Sequence, residues 1–300
     1  MKITRTYKYI TSHELNKNKE IESIVRYIKW NVATRLVRGK HIVPYVNDTR
    51  LLIGKGLHAA NANYYTGLKE YADMSFVIHL LRQEDVFVDV GANVGIYSIL
   101  AAAVAGAELY AFEPNPTTFQ HLIDNLALNQ AIDRSHLFNK CVGAQEGHVS
   151  FENVSQLPST SHVVTGTAAN SDNSYIQIPQ TTLDLSLKSN PTCIKIDVEG
   201  YELEVIRGAA STLSNPSLNA VIMETNGLSD QHFGIDGSQL HNIMLDQGFS
   251  THKYDPMNRE LTSLNNKPNS KENTLYIRDL DFVTKRLKES PTFAVHGWDI

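Results

Sequence analysis

Cysteine is scarce. The chain has two, Cys141 and Cys193, in 300 residues, too few for a disulfide framework. Both sit in apolar-flanked stretches that read as strands, so two buried thiols are expected, with a disulfide or metal pair as the alternative. Long apolar runs are missing as well. No stretch approaches the roughly 18 residues that would span a bilayer. The basic N-terminus, MKITRTYKYITSHELNKNKE, has no apolar h-region, which argues against a secretory signal. A reducing, cytoplasmic setting fits both absences. The chain also lacks a positive excess. Its net charge is −5, which weighs against a nucleic-acid partner. No internal repeat is visible. Ordinary proportions of hydrophobic (42%) and charged (20%) residues leave a soluble chain with ample material for one large core or two smaller ones.

The charge is uneven. Residues 1–40 hold ten Lys and Arg against three Glu, a net of +7; the other 260 carry 17 basic against 29 acidic residues, a net of −12. The basic arm could complement the acidic body, an anionic substrate or a membrane surface. Within it, Ile21, Ile24, Val25, Ile28, Val32 and Leu36 fall at helical spacing among basic residues, which predicts an amphipathic helix over 20–38. Such a helix would cap the main domain or dock on a membrane or partner. Residues 41–53 read as a small hairpin, and 61–81 as a polar opening into a helix that ends near Leu81.

From Val86 onward strand alternates with helix, the pattern of a parallel sheet covered on both faces. Strands are expected at 86–90, 108–112, 136–142, 192–197, 219–224, 249–254 and 274–278, one of the last two antiparallel. Helices are expected at 96–105, from Asn115-Pro116 onward, at 200–213 and at 238–247. Asn115 is a good N-cap and Pro116 suits the first helical position. Phe119, Leu122, Ile123 and Leu126 make that helix's buried stripe. Leu203, Ile206, Ala210 and Leu213 do the same for the next. The Ser, Thr and Asn-rich stretch 153–181 is long for a plain connection and is expected to hang near the carboxyl ends of the strands, where ligands bind in such sheets.

Three strand ends carry the chemistry. In VFVDVGANVG (86–95), a buried strand ends at Asp89, and Gly91, Asn93 and Gly95 turn into a helix. Glycines there let backbone approach a ligand, and the helix start offers free N–H groups. Glu113 ends the next strand, 22 residues beyond Gly91, where an acid can accept both hydroxyls of a ribose. The glycine pattern is not G-x-G-x-x-G, and Asp89 is poor company for a pyrophosphate. It suits an ammonium, such as that of S-adenosylmethionine. In CIKIDVEGYELEVIRGA (193–209), Lys195 and Asp197 share one face of a strand, and Glu199 and Gly200 begin a helix. Lys and Asp are rarely buried in a strand unless paired or functional. In VIMETNG (221–227), Glu224 ends a strand expected beside that of Asp197, so both carboxylates face one crevice. They could serve as a general base or hold a divalent cation such as Mg; a helix cap by Asp197 or Glu199 and an ion pair with Lys195 is the structural alternative.

VFVDVGANVGIYSILAA, YAFEPNPTTFQHLIDNLALN and IKIDVEGYELEVIRGA together resemble the FkbM family of methyltransferases, over roughly residues 60–280. YYTGLKEYADMSF resembles the family's lead-in. The resemblance implies a doubly wound, mostly parallel seven-stranded Rossmann-like sheet of the class I methyltransferase type. The chain is expected to divide into an N-terminal helical and hairpin extension over 1–80, the donor-binding domain over 81–280 and a tail over 281–300. The resemblance also implies S-adenosylmethionine as donor and O-methylation of a hydroxyl on a sugar, glycan or polyketide-type natural product. Asp89, Gly91, Asn93, Gly95, Glu113 and Asn115 should then hold the donor, with Glu70 as a further candidate. Cys141 and Val142, ending the third strand, should lie at the adenine.

Asp197 is the expected proton acceptor or cation ligand, with Glu224 beside it, Lys195 and Glu199 orienting, and His162 as an alternative base. A small-molecule or saccharide acceptor is the expected partner. Peripheral membrane contact through the basic N-terminus stays open, and oligomeric state is unreadable. A nucleic-acid or protein methyltransferase, or an inactive nucleoside-binding protein, are the rival readings. Asp197-Val198-Glu199-Gly200 stands where an exocyclic-amine methyltransferase would carry an Asn/Asp-Pro-Pro-aromatic turn.

Overall fold

The computed structural model describes residues 2–36, 39–152, 163–164, 175–224, 237–269 and 272–300. The chain opens with helices α1 (Lys2–Thr11) and α2 (Glu20–Leu36), the antiparallel hairpin β1 (Lys40–Pro44) and β2 (Arg50–Gly54), and helices α3 (His58–Thr66) and α4 (Tyr71–Leu80). The sheet begins at β3 (Val86–Val90), followed by α5 (Ile96–Ile99), which runs on as a wider π-turn to Val104, then β4 (Glu108–Phe112), α6 (Pro116–Leu128) and β5 (Ser135–Phe138). An insertion of β6 (Cys141–Val142), β7 (Gly147–Glu152), β8 (Val163–Val164) and β9 (Tyr175–Thr181) makes a separate sheet in the order β6-β9-β7-β8. After α7 (Leu183–Ser186) come β10 (Cys193–Ile196), α8 (Glu202–Arg207), α9 (Ala210–Ser214), β11 (Ala220–Met223) and α10 (Gly237–Asp246). The chain then runs through β12 (Ser250–Asp255), β13 (Glu260–Ser263), β14 (Thr274–Ile277), α11 (Leu280–Lys288) and the hairpin β15 (Ala294–Val295) and β16 (Trp298–Asp299).

Among the described residues the main sheet has eight strands, ordered β13-β12-β14-β11-β10-β3-β4-β5. β11, β10, β3, β4 and β5 are parallel, while β14 enters antiparallel between β11 and β12. The mostly parallel, doubly wound sheet is therefore present. The eighth strand is β13, which folds back on β12 as a short edge hairpin. Its burial is slight, so it carries no apolar run that would announce it. The central strands β3, β10 and β11 are buried along their whole length, as strands covered on both faces must be.

Several local expectations are sharpened. Asn115 caps α6, its Oδ1 accepting from the amides of Thr117 and Thr118. Leu122 and Leu126 are fully buried beneath it, each contributing about 2 kcal/mol. On the same helix Asn125 and Asn129 hydrogen-bond the backbone of Leu52 and Arg50, so α6 closes the free edge of β2. The expected helix at 200–213 breaks after Arg207, and Ala209 rather than Ala210 turns inward. The expected strand 136–142 is two: β5 ends at Phe138, and Cys141–Val142 belongs to the insertion sheet. Residues 175–181, expected as loop, are β9 of that sheet.

The N-terminal helices pack against the body, but not by the expected stripe. Ser23 and Trp30 are the buried residues of α2, while Ile21, Val25, Ile28, Val32 and Leu36 are exposed. Asn16 anchors the arm by donating to the carbonyls of Ile10 and Tyr65 and accepting from Arg26. The far end of the chain joins in. Trp298 Nε1 donates to the Leu15 carbonyl, and Lys19 reaches the Gly297 carbonyl across the Trp298 ring. Among the described residues no helix is long and apolar enough to cross a membrane.

Gly91 has a packing reason to be glycine. Its φ is +79°, and a Cβ there would lie 1.9 Å from the Asp197 carbonyl oxygen. The turn after β3 is pressed against the turn after β10, and neither is side chain that could move aside. Gly91→Ala should therefore cost roughly 3 kcal/mol or more in urea unfolding. Gly56→Ala, at φ +87° with nothing within 4 Å, should cost only about 1 kcal/mol. Equal losses would remove the steric argument.

Candidate active site

The register of the parallel strands sets a row of residues along their carboxyl edge. Val90 pairs with Phe112 and with Ile196, and Ile196 with Met223. The next residues, Glu113, Gly91, Asp197 and Glu224, lie side by side, each amide still bonded to the neighbouring strand. Strand order reverses between β3 and β10, so this edge is the switch point where ligands bind in open α/β sheets.

Two cavities open over the row. The smaller, about 470 Å³, lies over β3 and β4 and is lined by Gly91, Asn93, Phe112, Glu113, Cys141, Val142, Asp197 and Glu199, among others. The larger, about 900 Å³, lies beyond β11 and is lined by Ser12, His13, Glu14, Tyr71, Asp73, Glu224, Tyr254, Asp255 and Asn273, among others. Tyr9, Lys69 and Glu70 line both and form the wall between them.

Glu113 is buried at the floor of the smaller cavity. Its Oε2 accepts from the Asn93 amide at 2.9 Å and its Oε1 from the Asn115 amide at 2.8 Å. Burial pushes its carboxyl up to about 7, against the pull of those two amides. Each oxygen keeps a second lone pair, and the group lines the cavity, so Glu113 can still take two ligand hydroxyls.

Beneath the row lies a cluster of charge. Lys195, buried on β10, pairs in register with Asp89 on β3 and donates to Asp197 Oδ2 at 2.9 Å. Burial would strip its proton, but the carboxylates of Asp197, Asp89 and Glu70 hold it above its ordinary value. Its ammonium also sits 4.8 Å from the Tyr97 ring centre, and Tyr97 donates to Glu70 Oε2 at 2.7 Å. Burial raises Asp89, with Lys195 opposing; its Oδ2 accepts from Ser98 while Oδ1 has no partner among the described residues. Burial also works against ionisation of Asp197, but Lys195 and a hydrogen bond with Glu224 hold it below the usual carboxylate range. Glu224 is pushed up to about 8 by burial and by Asp197. The two shifts run in opposite directions because the carboxyls face one another, Lys195 favouring the charge on Asp197 and Asp197 opposing it on Glu224. Glu199 is pushed up to about 7 by burial, with Asp197 and Glu202 adding to it. Among the described residues no three His, Cys, Asp or Glu converge to hold a metal ion.

Residues 89–251 match the family model of the methyltransferase FkbM domain. The hexuronic acid methyltransferase AglP of Haloferax volcanii is 31% identical over 218 residues, covering 70% of this chain and 75% of that protein. The chain belongs to the FkbM methyltransferase family. Its members use S-adenosylmethionine. A tRNA (guanine(37)-N(1))-methyltransferase of Batrachochytrium dendrobatidis is 26% identical over 128 residues, which is 42% of this chain and 27% of its own length. A solved FkbM methyltransferase from Methylobacillus flagellatus overlays with a TM-score of 0.45 at 18% identity, covering 76% of this chain and 56% of its own.

Within this FkbM chain the expected residues divide. Gly91, Asn93, Glu113, Glu70, Cys141, Val142, Lys195, Asp197 and Glu199 line the smaller cavity, and Glu224 the larger. Cys141 and Val142 reach it from β6 rather than from the end of β5. Both cysteines are free and buried. Asp89, Gly95 and Asn115 are not among the lining residues. Asp89 faces Lys195 and Ser98. Gly95, at φ +86°, leaves room for Leu122 of α6. Glu199 stands in a loop at φ +51°, and α8 starts three residues later. His162 lies outside the described residues. Lys69, Tyr97 and Tyr9 were not foreseen. Lys69 precedes Glu70 in a polar lead-in, and neither tyrosine carries a pattern that separates it from core.

Asn115 acts on the site through Glu113 and through its helix cap. Asn115→Ala should cost about 1 kcal/mol in urea unfolding, and Asn115→Ser, which caps as well, should recover most of it. A loss that serine does not restore would show that the amide side chain has another role.

Proposed function

We propose that this chain transfers a methyl group from S-adenosylmethionine to a hydroxyl of a saccharide, with the donor in the smaller cavity and the acceptor in the larger. The observation that carries this is the Asp197–Glu224 pair. Asp197 lines one cavity, Glu224 lines the other, and the two carboxyls are hydrogen-bonded at the junction.

The smaller cavity fits the donor. Glu113 offers paired acceptors for ribose hydroxyls, and Phe112 and Val142 supply apolar walls. Bound there, S-adenosylmethionine supplies an electrophilic methyl group that a hydroxyl oxygen can displace from sulfur. The hydroxyl proton needs an acceptor, and Asp197 is placed to take it. Lys195 stabilises Asp197 and orients it, and Tyr97 and Glu70 hold the wall between donor and acceptor. A divalent cation beside Asp197 is the alternative to proton transfer; Lys195 already supplies positive charge at that oxygen.

The larger cavity suits a polyhydroxylated partner. Tyr9, Tyr71 and Tyr254 offer ring faces, and Ser12, Asn269 and Asn273 offer hydrogen bonds. Glu14, Glu70, Asp255 and Glu272 against Lys69 make an acidic lining, unfavourable to a phosphate backbone and, by the same repulsion, better matched to a neutral than to an anionic sugar. That the relative AglP is named for a hexuronic acid supports a sugar acceptor. The two buried free thiols suit a reducing, cytoplasmic compartment.

Thermal unfolding with S-adenosylhomocysteine, beside NAD, tests the donor site. A ligand at about 100 times its dissociation constant adds roughly 2.7 kcal/mol, so the midpoint should rise with the sulfur nucleoside alone. Glu113→Ala should lose most of that rise, and affinity should fall as pH drops through about 7, where Glu113 gains its proton. A rise with NAD alone would overturn the donor assignment.

Turnover is read as S-adenosylhomocysteine released with a panel of hexuronides and neutral glycosides. Asp197→Asn should lower it by roughly 100-fold or more while binding S-adenosylhomocysteine normally. Wild-type turnover should rise with pH through about 8 as Glu224 loses its proton, and Glu224→Gln should remove that step. Near wild-type turnover in Asp197→Asn would exclude it as base, and a loss of activity in excess EDTA would favour the cation.

A further inference from the structure

We infer that the outer face of α2 docks this protein on an anionic lipid surface. Of the twelve large apolar side chains that the described residues leave exposed, eight lie between Tyr7 and Ile42, so the exposed apolar area is concentrated on one part of the molecule rather than scattered. Five of the eight form a single line on α2: Ile21 at 82% exposure, Val25 at 41%, Ile28 at 54%, Val32 at 48% and Leu36 at 78%. Their spacing of four, three, four and four residues keeps them within an arc of about 80° over a helix about 25 Å long. Ser23 and Trp30, which seat the helix on the body, lie on the opposite side. The stripe is thus unpartnered because the helix already has another face committed to the fold.

Charge decides what covers it. Lys29 and Arg35, both exposed, flank the stripe, one on each side, with exposed Glu22 next to Lys29; residues 1–40 carry a net of +7, of which Lys40 is paired with Asp124. A narrow aliphatic stripe bordered by long cations is the layout of a helix lying in a lipid interface, with apolar side chains in the acyl boundary and ammonium and guanidinium groups among the headgroups. A second copy of this chain fits less well. A two-fold interface through α2 would set two +7 arms against each other. The stripe also lacks the aromatic residues that anchor protein interfaces.

The test is cosedimentation of the full chain with phosphatidylcholine vesicles and with vesicles containing phosphatidylglycerol. It uses neither donor nor acceptor, so its outcome does not depend on the proposed reaction. Binding should need the anionic lipid and weaken with added salt. The double variant Ile28→Glu/Val32→Glu should bind at least roughly tenfold more weakly. Because both side chains are exposed, this variant should keep the unfolding midpoint of the parent. Lys29→Glu/Arg35→Glu should lose binding while keeping the stripe. No binding to either vesicle overturns the proposal, as does binding that the Ile28/Val32 variant retains. A concentration-dependent dimer that this variant abolishes, without vesicle binding, would assign the face to a second copy instead.

Discussion

A buried ammonium organises the centre of this molecule. Lys195 is 3% exposed and lies between Asp89, 1% exposed on the adjacent strand, and Asp197 two residues further along its own. Either of the two buried charges, Lys195 or Asp89, would cost several kcal/mol if left alone. Together they are tolerable, and only in one strand register, since a slip of one residue would turn Lys195 to the other face of the sheet. The same ammonium holds Asp197 below the usual carboxylate range, and Asp197 in turn raises Glu224. Sheet register, charge balance and protonation state are therefore one constraint.

The glycine turn serves that constraint more directly than it serves a ligand. The amides of Gly91 and Ala92 are both taken by the Phe112 carbonyl, and the missing Cβ of Gly91 makes room for the Asp197 carbonyl. Asn93 and Glu113, which the Asn93 amide holds in place, line the smaller cavity beside this turn. The loop after β3 thus works as a brace between two strand ends, keeping Glu113 and Asp197 on either side of it.

Much of this was legible in the sequence. A buried strand running into glycines, an Asn-Pro helix start, and acids at successive strand ends each have one economical explanation, and the structure places Glu113, Asp197 and Glu224 along one edge. What was not legible depended on partners distant in the chain. Periodicity gives α2 an apolar face but cannot say that Trp30 and Ser23 would seat it. The pairing of Cys141–Val142 with Gln180–Thr181 divides a stretch that looks continuous, because a two-residue strand has no pattern of its own. Asn115 and Asp89 have residue types that fit donor binding and a cap or ion pair equally well; only coordinates distinguish a side chain facing a cavity from one facing its neighbour.

The clasp between the two ends of the described chain bears on how the protein is made. Tyr9, Ser12 and His13 form a wall of the larger cavity, and the arm that carries them is held by Trp298 bonding Leu15 and by Lys19 reaching Gly297. Those contacts span more than 270 residues. During synthesis the first helices leave the ribosome long before the residues that pin them exist, while the sheet can form behind them. Asn16 can tie the arm to Tyr65 early, but the clasp that fixes this wall closes only when the last residues fold back.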